Sequence, residues 1–106
     1  MTAPSTPRWW WWGIAKRHWF RSEYPSALDA FRQAFVEQLW LSHLQMAYTL
    51  PFLGRTDEAR AHVASLLRLS PGFTVREADA YYSMWCFPPA YREKMRDALQ
   101  RAGLPQ

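Results

Sequence analysis

Three histidines and a single cysteine are the side chains whose types could bind a metal ion or act as a nucleophile. His18, His43 and His62 are too widely spaced for a local metal-binding motif, and the sequence contains neither HExxH nor paired cysteines. Cys86 stands between two aromatic residues, so we expect a buried small hydrophobic side chain rather than a nucleophile. The four glycines form no phosphate-binding loop. We therefore predict no catalytic residue, no metal ion and no cofactor.

The composition predicts one small packed domain. The chain has 106 residues, of which 49% are hydrophobic, 17% aromatic and only 21% charged, and this balance excludes a disordered chain. A single cysteine permits no intrachain disulfide, so nothing indicates an oxidising compartment. We see no signal-peptide pattern, and no apolar run approaches the roughly 20 residues that span a bilayer. We expect a cytoplasmic protein.

The net charge of +4 is carried mostly by arginine. Over residues 55–101 the arginines alternate with aspartate and glutamate, as on a solvated helical surface, which argues against nucleic acid as the partner. A denser basic stretch, Arg8, Lys16, Arg17 and Arg21, is mixed with tryptophan. That stretch suits contact with anionic lipid or RNA.

The helix signals that must position these side chains are clearest in LGRTDEARAHVASLLRLSPGF. Gly54 stops one helix, Thr56 can cap the next, and Pro71 marks its end. The pattern predicts a helix over residues 56–69 that packs antiparallel on the preceding one. Pro51 should cause a kink or an early end in that preceding helix.

An internal repeat predicts a second helix pair upstream. An offset of 32 residues places Ala59 on Ala27 and Ala47 on Ala15, and the chemistry matches at most of the other positions compared. The two pairs should join through a tight turn near residues 38–41. A single continuous helix is the alternative, because no glycine or proline interrupts this part of the chain. Residues 1–8 are small and proline-broken, and we expect a disordered lead there.

This pattern resembles the tetratricopeptide repeat (TPR), a helical pair with a tryptophan, small residues at the close helix contact and a final proline. The matching positions are Trp11, Ala15, Tyr24, Ala27 and Phe31 in the first unit, and Ala47, Gly54, Ala59 and Pro71 in the second. The resemblance implies an all-α fold: two antiparallel pairs over residues 9–72 in a short α-solenoid, and C-terminal capping helices over residues 73–106.

The second half of the chain resembles the C-terminal repeat tail of bacterial adenylate/guanylate cyclases and related regulators. The segments that carry this resemblance are LGR-DEA, LLRLSPGFTV and RAGLPQ. None of them is catalytic, so the resemblance implies a regulatory or docking segment that is not an enzyme. A truncated remnant of a larger regulator, without an independent function, is a further alternative.

In the TPR family the first helix of each pair lines a concave face that binds a protein or peptide partner. Carried over by the resemblance, the face on this chain comprises Trp9, Trp12, Lys16, Trp19, Leu41, Leu44 and Tyr48. The lining is aromatic and apolar. Only Lys16 suits a carboxylate grip, so we do not expect recognition of a peptide C-terminus.

Four consecutive tryptophans cannot all enter one core, because consecutive residues point around most of a helix. We expect Trp11 inside, Trp9 and Trp12 toward the groove, and Trp10 on the side where a preceding repeat would pack. Self-association through Trp9, Trp10, Trp12 and Trp19 is then expected in the absence of a partner. A frayed segment with no role is one alternative. An interfacial helix at a membrane surface is the other.

Overall fold

The computed structural model describes residues 7–106, which form six α-helices and one 3-10 turn, with no β-strand among them. The elements are α1 (Arg8–Phe20), α2 (Tyr24–Gln33), α3 (Trp40–Thr49), the 3-10 turn (Leu50–Leu53), α4 (Thr56–Leu69), α5 (Val75–Met84) and α6 (Pro89–Arg101). The all-α prediction is confirmed. Most of the lead predicted for residues 1–8 lies outside the described residues, and α1 begins within it, at Arg8.

The helices pack as consecutive pairs around a central helix. Helix α1 packs against α2, α3 against α4, and α5 against α6. Helix α3 also contacts α2 and α6, and every residue from Leu41 to Pro51 is buried. Because α3 is buried along almost its whole length, it forms the axis of the hydrophobic core.

Small residues occupy the close contacts of the first two pairs. Ala15, Ala27, Ala47 and Ala59 have no exposed surface. Of the other repeat positions, Phe31 is buried, Trp11 and Tyr24 are half-buried, Gly54 follows the 3-10 turn, and Pro71 is exposed beyond α4. The paired helices can approach closely only where a side chain is this small.

Helix α4 spans the predicted residues, Thr56–Leu69, and its buried face carries Val63 and Leu66. The predicted capping role of Thr56 is wrong. Arg55 occupies the N-cap, and no side chain in the described chain caps this helix. The Arg55 guanidinium instead pairs with Glu58 at 2.6 Å across the first turn.

The early end predicted at Pro51 is confirmed. Helix α3 stops at Thr49, and the chain tightens into the 3-10 turn that contains this proline. The Thr49 hydroxyl donates to the carbonyl oxygen of Gln45 at 2.8 Å. Gly54 then adopts a φ of 72°, a left-handed conformation that favours glycine, and redirects the chain into α4.

The connection between the first two pairs lies earlier than predicted, and the continuous-helix alternative is wrong. Helix α2 ends at Gln33, and α3 begins at Trp40. Two side chains of α3 bind backbone groups of the loop: the Ser42 hydroxyl accepts from the Val36 amide at 3.1 Å, and His43 Nε2 lies 2.8 Å from the Glu37 carbonyl oxygen. These bonds satisfy backbone groups that a continuous helix would otherwise pair.

The C-terminal region is a third packed pair. The Thr74 hydroxyl accepts from the Glu77 amide at 3.2 Å and caps α5. Asp79 of α5 then accepts from Arg92 and Arg96 of α6 at 3.0 and 2.7 Å. The prediction that Cys86 is buried is wrong: it is exposed, with a φ of 62°, because α5 has already ended and the chain reverses toward α6.

Candidate binding cleft

An open cleft of about 410 Å³ is lined by one face each of α1, α3 and α5. Helix α1 contributes Trp9, Trp12, Gly13 and Lys16. Their spacing of three, four and seven residues places them on one side of the helix. A Cβ atom built on Gly13 would meet no atom within 4 Å, so this wall has open space at its centre.

Helix α3 contributes Leu41, Gln45 and Tyr48 to the cleft, and α2 adds Phe31. Gln45 is unusual among these residues because its polar side chain is only 5% exposed. Within residues 7–106 its amide group makes no hydrogen bond, whereas its backbone carbonyl accepts from Thr49. The described side-chain atoms that are fully buried without a hydrogen-bond partner are instead the indole Nε1 atoms of Trp12 and Trp19, so the Gln45 amide keeps contact with the open cleft.

The C-terminal helices complete the cleft with five aromatic residues. These are Tyr81, Tyr82, Trp85, Phe87 and Tyr91. The ring of Tyr82 packs 4.6 Å from that of Phe87, which in turn meets Tyr91 edge-on at 4.9 Å. Edge-on and tilted contacts of this kind hold aromatic walls in fixed positions.

Three phenol hydroxyls of the cleft residues form one hydrogen-bonded cluster. The oxygen of Tyr48 lies 3.1 Å from that of Tyr91 and 3.4 Å from that of Tyr82. Burial raises the pKa of each of these three phenols above the usual tyrosine value, so the cluster is neutral at physiological pH. Three hydroxyl protons serve two contacts. One proton is therefore available to another acceptor.

The charge of the cleft is positive. The Lys16 ammonium lies 4.8 Å from the centre of the Phe87 ring, which its charge attracts. No ion pair between Lys16 and a carboxylate occurs within the described chain, and none of the residues that line the cleft is acidic. An occupant would thus meet a single cation beside aromatic surface.

Five of the seven residues predicted to form a binding face line this cleft: Trp9, Trp12, Lys16, Leu41 and Tyr48. The other two, Trp19 and Leu44, are buried in the core, and their predicted groove positions are wrong.

The burial of Trp19 has a structural cause. Its ring lies within 5.7 Å of the rings of Tyr24, Tyr48, Phe52 and Tyr91. Rings from α2, α3, the 3-10 turn and α6 therefore enclose Trp19 together.

The tryptophan run divides largely as expected. Trp9 and Trp12 line the cleft, Trp11 is half-buried against the core, and Trp10 is 50% exposed. Trp9 itself is 68% exposed, so it stands at the rim of the cleft. Because Trp19 is buried, it offers no surface for the self-association predicted from the sequence.

Gln45 and the α5 side of the cleft were not predicted from the sequence. A signal was present: the segment YYSMWCF, at the end of α5 and in the turn after it, has four aromatic residues. Its assignment to a terminal cap hid the fact that α5 is the first helix of a third pair, which is the helix that lines the groove in a helical repeat.

The described residues contain no group of three histidine, cysteine, aspartate or glutamate side chains placed to hold a metal ion. None of the helices in residues 7–106 is long and apolar enough to cross a membrane. The groups that the cleft presents are aromatic rings, hydroxyl and amide groups and one ammonium. These groups suit binding.

Comparison with known proteins gave no match to a family model, to a curated protein or to a solved structure. The resemblances to the TPR family and to cyclase tails consequently stay predictions. The geometry of the cleft is the basis for a functional proposal.

Proposed function

We propose that the chain is a non-catalytic protein-interaction module whose cleft binds a segment of a partner protein. One observation carries the proposal: the first helix of each successive pair, α1, α3 and α5, contributes a face to the same cleft. TPR-like solenoids build their concave binding surface in this way. In this proposal the pairs α1–α2 and α3–α4 are the TPR-like units, and α5–α6 closes the stack.

A partner protein suits the cleft because its rim is apolar and open to solvent. Trp9 and Trp85 line the cleft and are 68% and 62% exposed. Exposed aromatic surface of this kind marks interaction sites, and tryptophan is enriched among the residues that contribute most to binding. The resemblance to cyclase tails supports a regulatory or docking role for such a module in a larger signalling system.

A membrane surface is the second candidate partner, and a different face of α1 favours it. Trp10 and Phe20 are exposed outside the cleft, and Arg17 and Arg21 are exposed near them in sequence. Aromatic and basic residues on one helix are typical of segments that lie at a lipid boundary.

The two candidates can be separated with a substitution that fills the cleft. Gly13→Phe adds a ring to the open part of the α1 wall, where a Cβ meets no atom within 4 Å. The matched control is Ala64→Phe, which adds the same ring to an exposed position of α4 outside the cleft. Both variants should retain the helical circular dichroism spectrum of the wild type.

The test begins with random peptides selected by display against the wild-type protein. Fluorescence anisotropy then gives the affinity of each selected peptide for the wild type and both variants. We expect Gly13→Phe to weaken binding by about tenfold or more, and Ala64→Phe to leave it unchanged. Equal binding to Gly13→Phe, or a selection that yields no peptide, would contradict the proposal.

Co-sedimentation with vesicles tests the membrane candidate in parallel. Wild-type protein, Gly13→Phe and Trp10→Ser are mixed with anionic and with zwitterionic vesicles. Sedimentation with anionic vesicles that Trp10→Ser abolishes and Gly13→Phe leaves intact would support the membrane surface. No sedimentation with either type of vesicle would exclude it.

A further inference from the structure

The cleft lining contains a polar group that makes no hydrogen bond within the fold. Gln45 lines the cleft, is 5% exposed, and has no hydrogen-bond partner for its amide within residues 7–106. An amide offers two donor hydrogens and an acceptor oxygen. The amide is not among the fully buried unpaired atoms, so it faces the open cleft, where it can bind a polar group of an occupant.

A second polar group of the cleft lining lies on the same face of α3. Tyr48 follows Gln45 by three residues, and its hydroxyl belongs to the cluster with Tyr82 and Tyr91. The three hydroxyl protons of the cluster serve two internal contacts, which leaves one proton over. A group that can accept a hydrogen bond as well as donate one would therefore suit the amide and the cluster together.

The remaining polar group is a cation. Lys16 has no carboxylate partner in the described chain, and the cleft lining has no acidic residue that would repel an anion. Charge complementarity therefore favours a carboxylate at this side of the occupant.

We propose that the cleft recognises a tyrosine side chain flanked by an acidic residue in the partner segment, an inference that rests on the proposed function. The tyrosine ring would pack among the aromatic walls, and its hydroxyl would both accept and donate hydrogen bonds at Gln45 and the hydroxyl cluster. The flanking carboxylate would pair with Lys16. A phenylalanine would leave the amide unpaired, and a tryptophan could only donate.

The test uses capped, fluorescein-labelled heptapeptides. The reference peptide has a central tyrosine between two aspartates. One matched peptide has phenylalanine at the centre, and another has lysines as the flanking residues. Anisotropy titrations give the affinity of each for the wild type and for Gln45→Leu, Tyr82→Phe, Lys16→Ala and the control Arg60→Ala, which changes an exposed cation of α4 outside the cleft.

We expect the wild type to bind the tyrosine peptide about fivefold more tightly than the phenylalanine peptide, the usual effect of one hydrogen bond. Gln45→Leu should remove this preference. Gln45→Leu should have little effect on folding, because it replaces an amide without an intramolecular partner by an apolar group of similar size. Tyr82→Phe is a second variant that should reduce the preference for the tyrosine peptide. Lys16→Ala should reduce the preference for aspartate over lysine by about twofold to fivefold, and Arg60→Ala should not.

Equal affinity of the wild type for the tyrosine and phenylalanine peptides would overturn the tyrosine assignment. A preference for aspartate that persists in Lys16→Ala would overturn the acidic flank. If selected peptides are sensitive to Gly13→Phe but show neither preference, this inference fails while the proposed function stands. If no peptide is sensitive to Gly13→Phe, both fail.

Discussion

The Nδ1 atoms of His43 and His62 lie 3.0 Å apart and join α3 to α4. Nε2 of His43 faces the carbonyl oxygen of Glu37 at 2.8 Å and must donate to it. Nδ1 of a neutral His43 then accepts the proton of His62 Nδ1. Phe35 meets both imidazole rings nearly edge-on. The contact thus depends on at least one neutral imidazole, with His43 buried and His62 half-buried.

We expect the stability of the fold to decrease as the pH falls below about 6.5, the usual pKa of histidine. Burial is the main cause that lowers the pKa of His62, and the charges of His43 and Arg32 lower it further. The carboxylates of Glu37 and Glu58 act in the opposite direction. The unfolded chain therefore binds a proton more readily than the folded chain. Stability is full above the unfolded pKa and is lost as the pH falls toward the folded pKa.

Thermal midpoints measured by circular dichroism between about pH 8 and about pH 5 check this dependence. His62→Gln should flatten the slope. His18→Gln is the control, because His18 pairs with Glu23 on the surface at 2.9 Å. This variant should keep the part of the pH dependence that comes from His43 and His62. A slope that His62→Gln leaves intact would show that other groups cause it.

At high pH we expect a second loss of stability, caused by the tyrosine cluster. Burial raises the pKa of Tyr48, Tyr82 and Tyr91, so the unfolded chain releases these protons first once the pH passes about 10. The tyrosinate absorbance of these residues should appear together with the loss of the helical circular dichroism signal. The same pH titration of Tyr48→Phe gives the comparison, because this variant lacks the hydroxyl that Tyr82 and Tyr91 both contact. Complete ionisation of all the tyrosines while the helices persist would contradict the prediction.

The parts of this structure that follow from the sequence are those with local causes. Helix α4 has a glycine with positive φ before it and a proline after it, and both boundaries were predicted correctly. The break between α2 and α3 depends instead on Ser42 and His43, which reach back to bind the loop. No periodicity in the sequence encodes such a contact.

In the cleft, too, some features have local causes and others depend on tertiary contacts. The α1 face was predicted from the TPR resemblance, and in the structure Trp9, Trp12 and Lys16 line the cleft together. The burial of Trp19 depends on where α6 packs, and the α5 wall depends on α5 and α6 forming a third pair. These are tertiary contacts between distant segments, so the repeat pattern of the first two units could not predict them.

Ala59→Leu should lower the free energy of unfolding by about 1 to 3 kcal/mol. Ala59 has no exposed surface on the face of α4 that packs in the core, so a larger side chain must move the backbone or its neighbours. Ala64→Leu is the matched change on the exposed face of the same helix and should alter stability by less than about 0.5 kcal/mol. Urea unfolding of both variants measures the difference. Equal free energies of unfolding for the two variants would mean that a larger side chain fits at the contact between α3 and α4.

Two glycine substitutions should have opposite effects. Gly13→Ala, within α1, should raise stability by about 0.5 to 1 kcal/mol, because alanine favours the helix and its Cβ has open space. Gly54→Ala should lower stability by about 1 to 2 kcal/mol, because the residue keeps a φ of 72° after the 3-10 turn. Urea unfolding distinguishes the two. A stabilising Gly54→Ala would show that this turn can relax to a negative φ.

Self-association is the last prediction, and the structure narrows the surface that can support it. Trp9 and Trp10 are adjacent at the start of α1 and are 68% and 50% exposed, which leaves apolar surface open to a second copy when no partner covers it. Replacing both with serine should give a more monomeric protein with unchanged helical content. Phe20→Ser, at the other end of α1, is the control for exposed aromatic surface in general. Light scattering combined with circular dichroism measures the mass and the fold of each form, and a wild-type chain that stays monomeric at high micromolar concentration would refute the prediction.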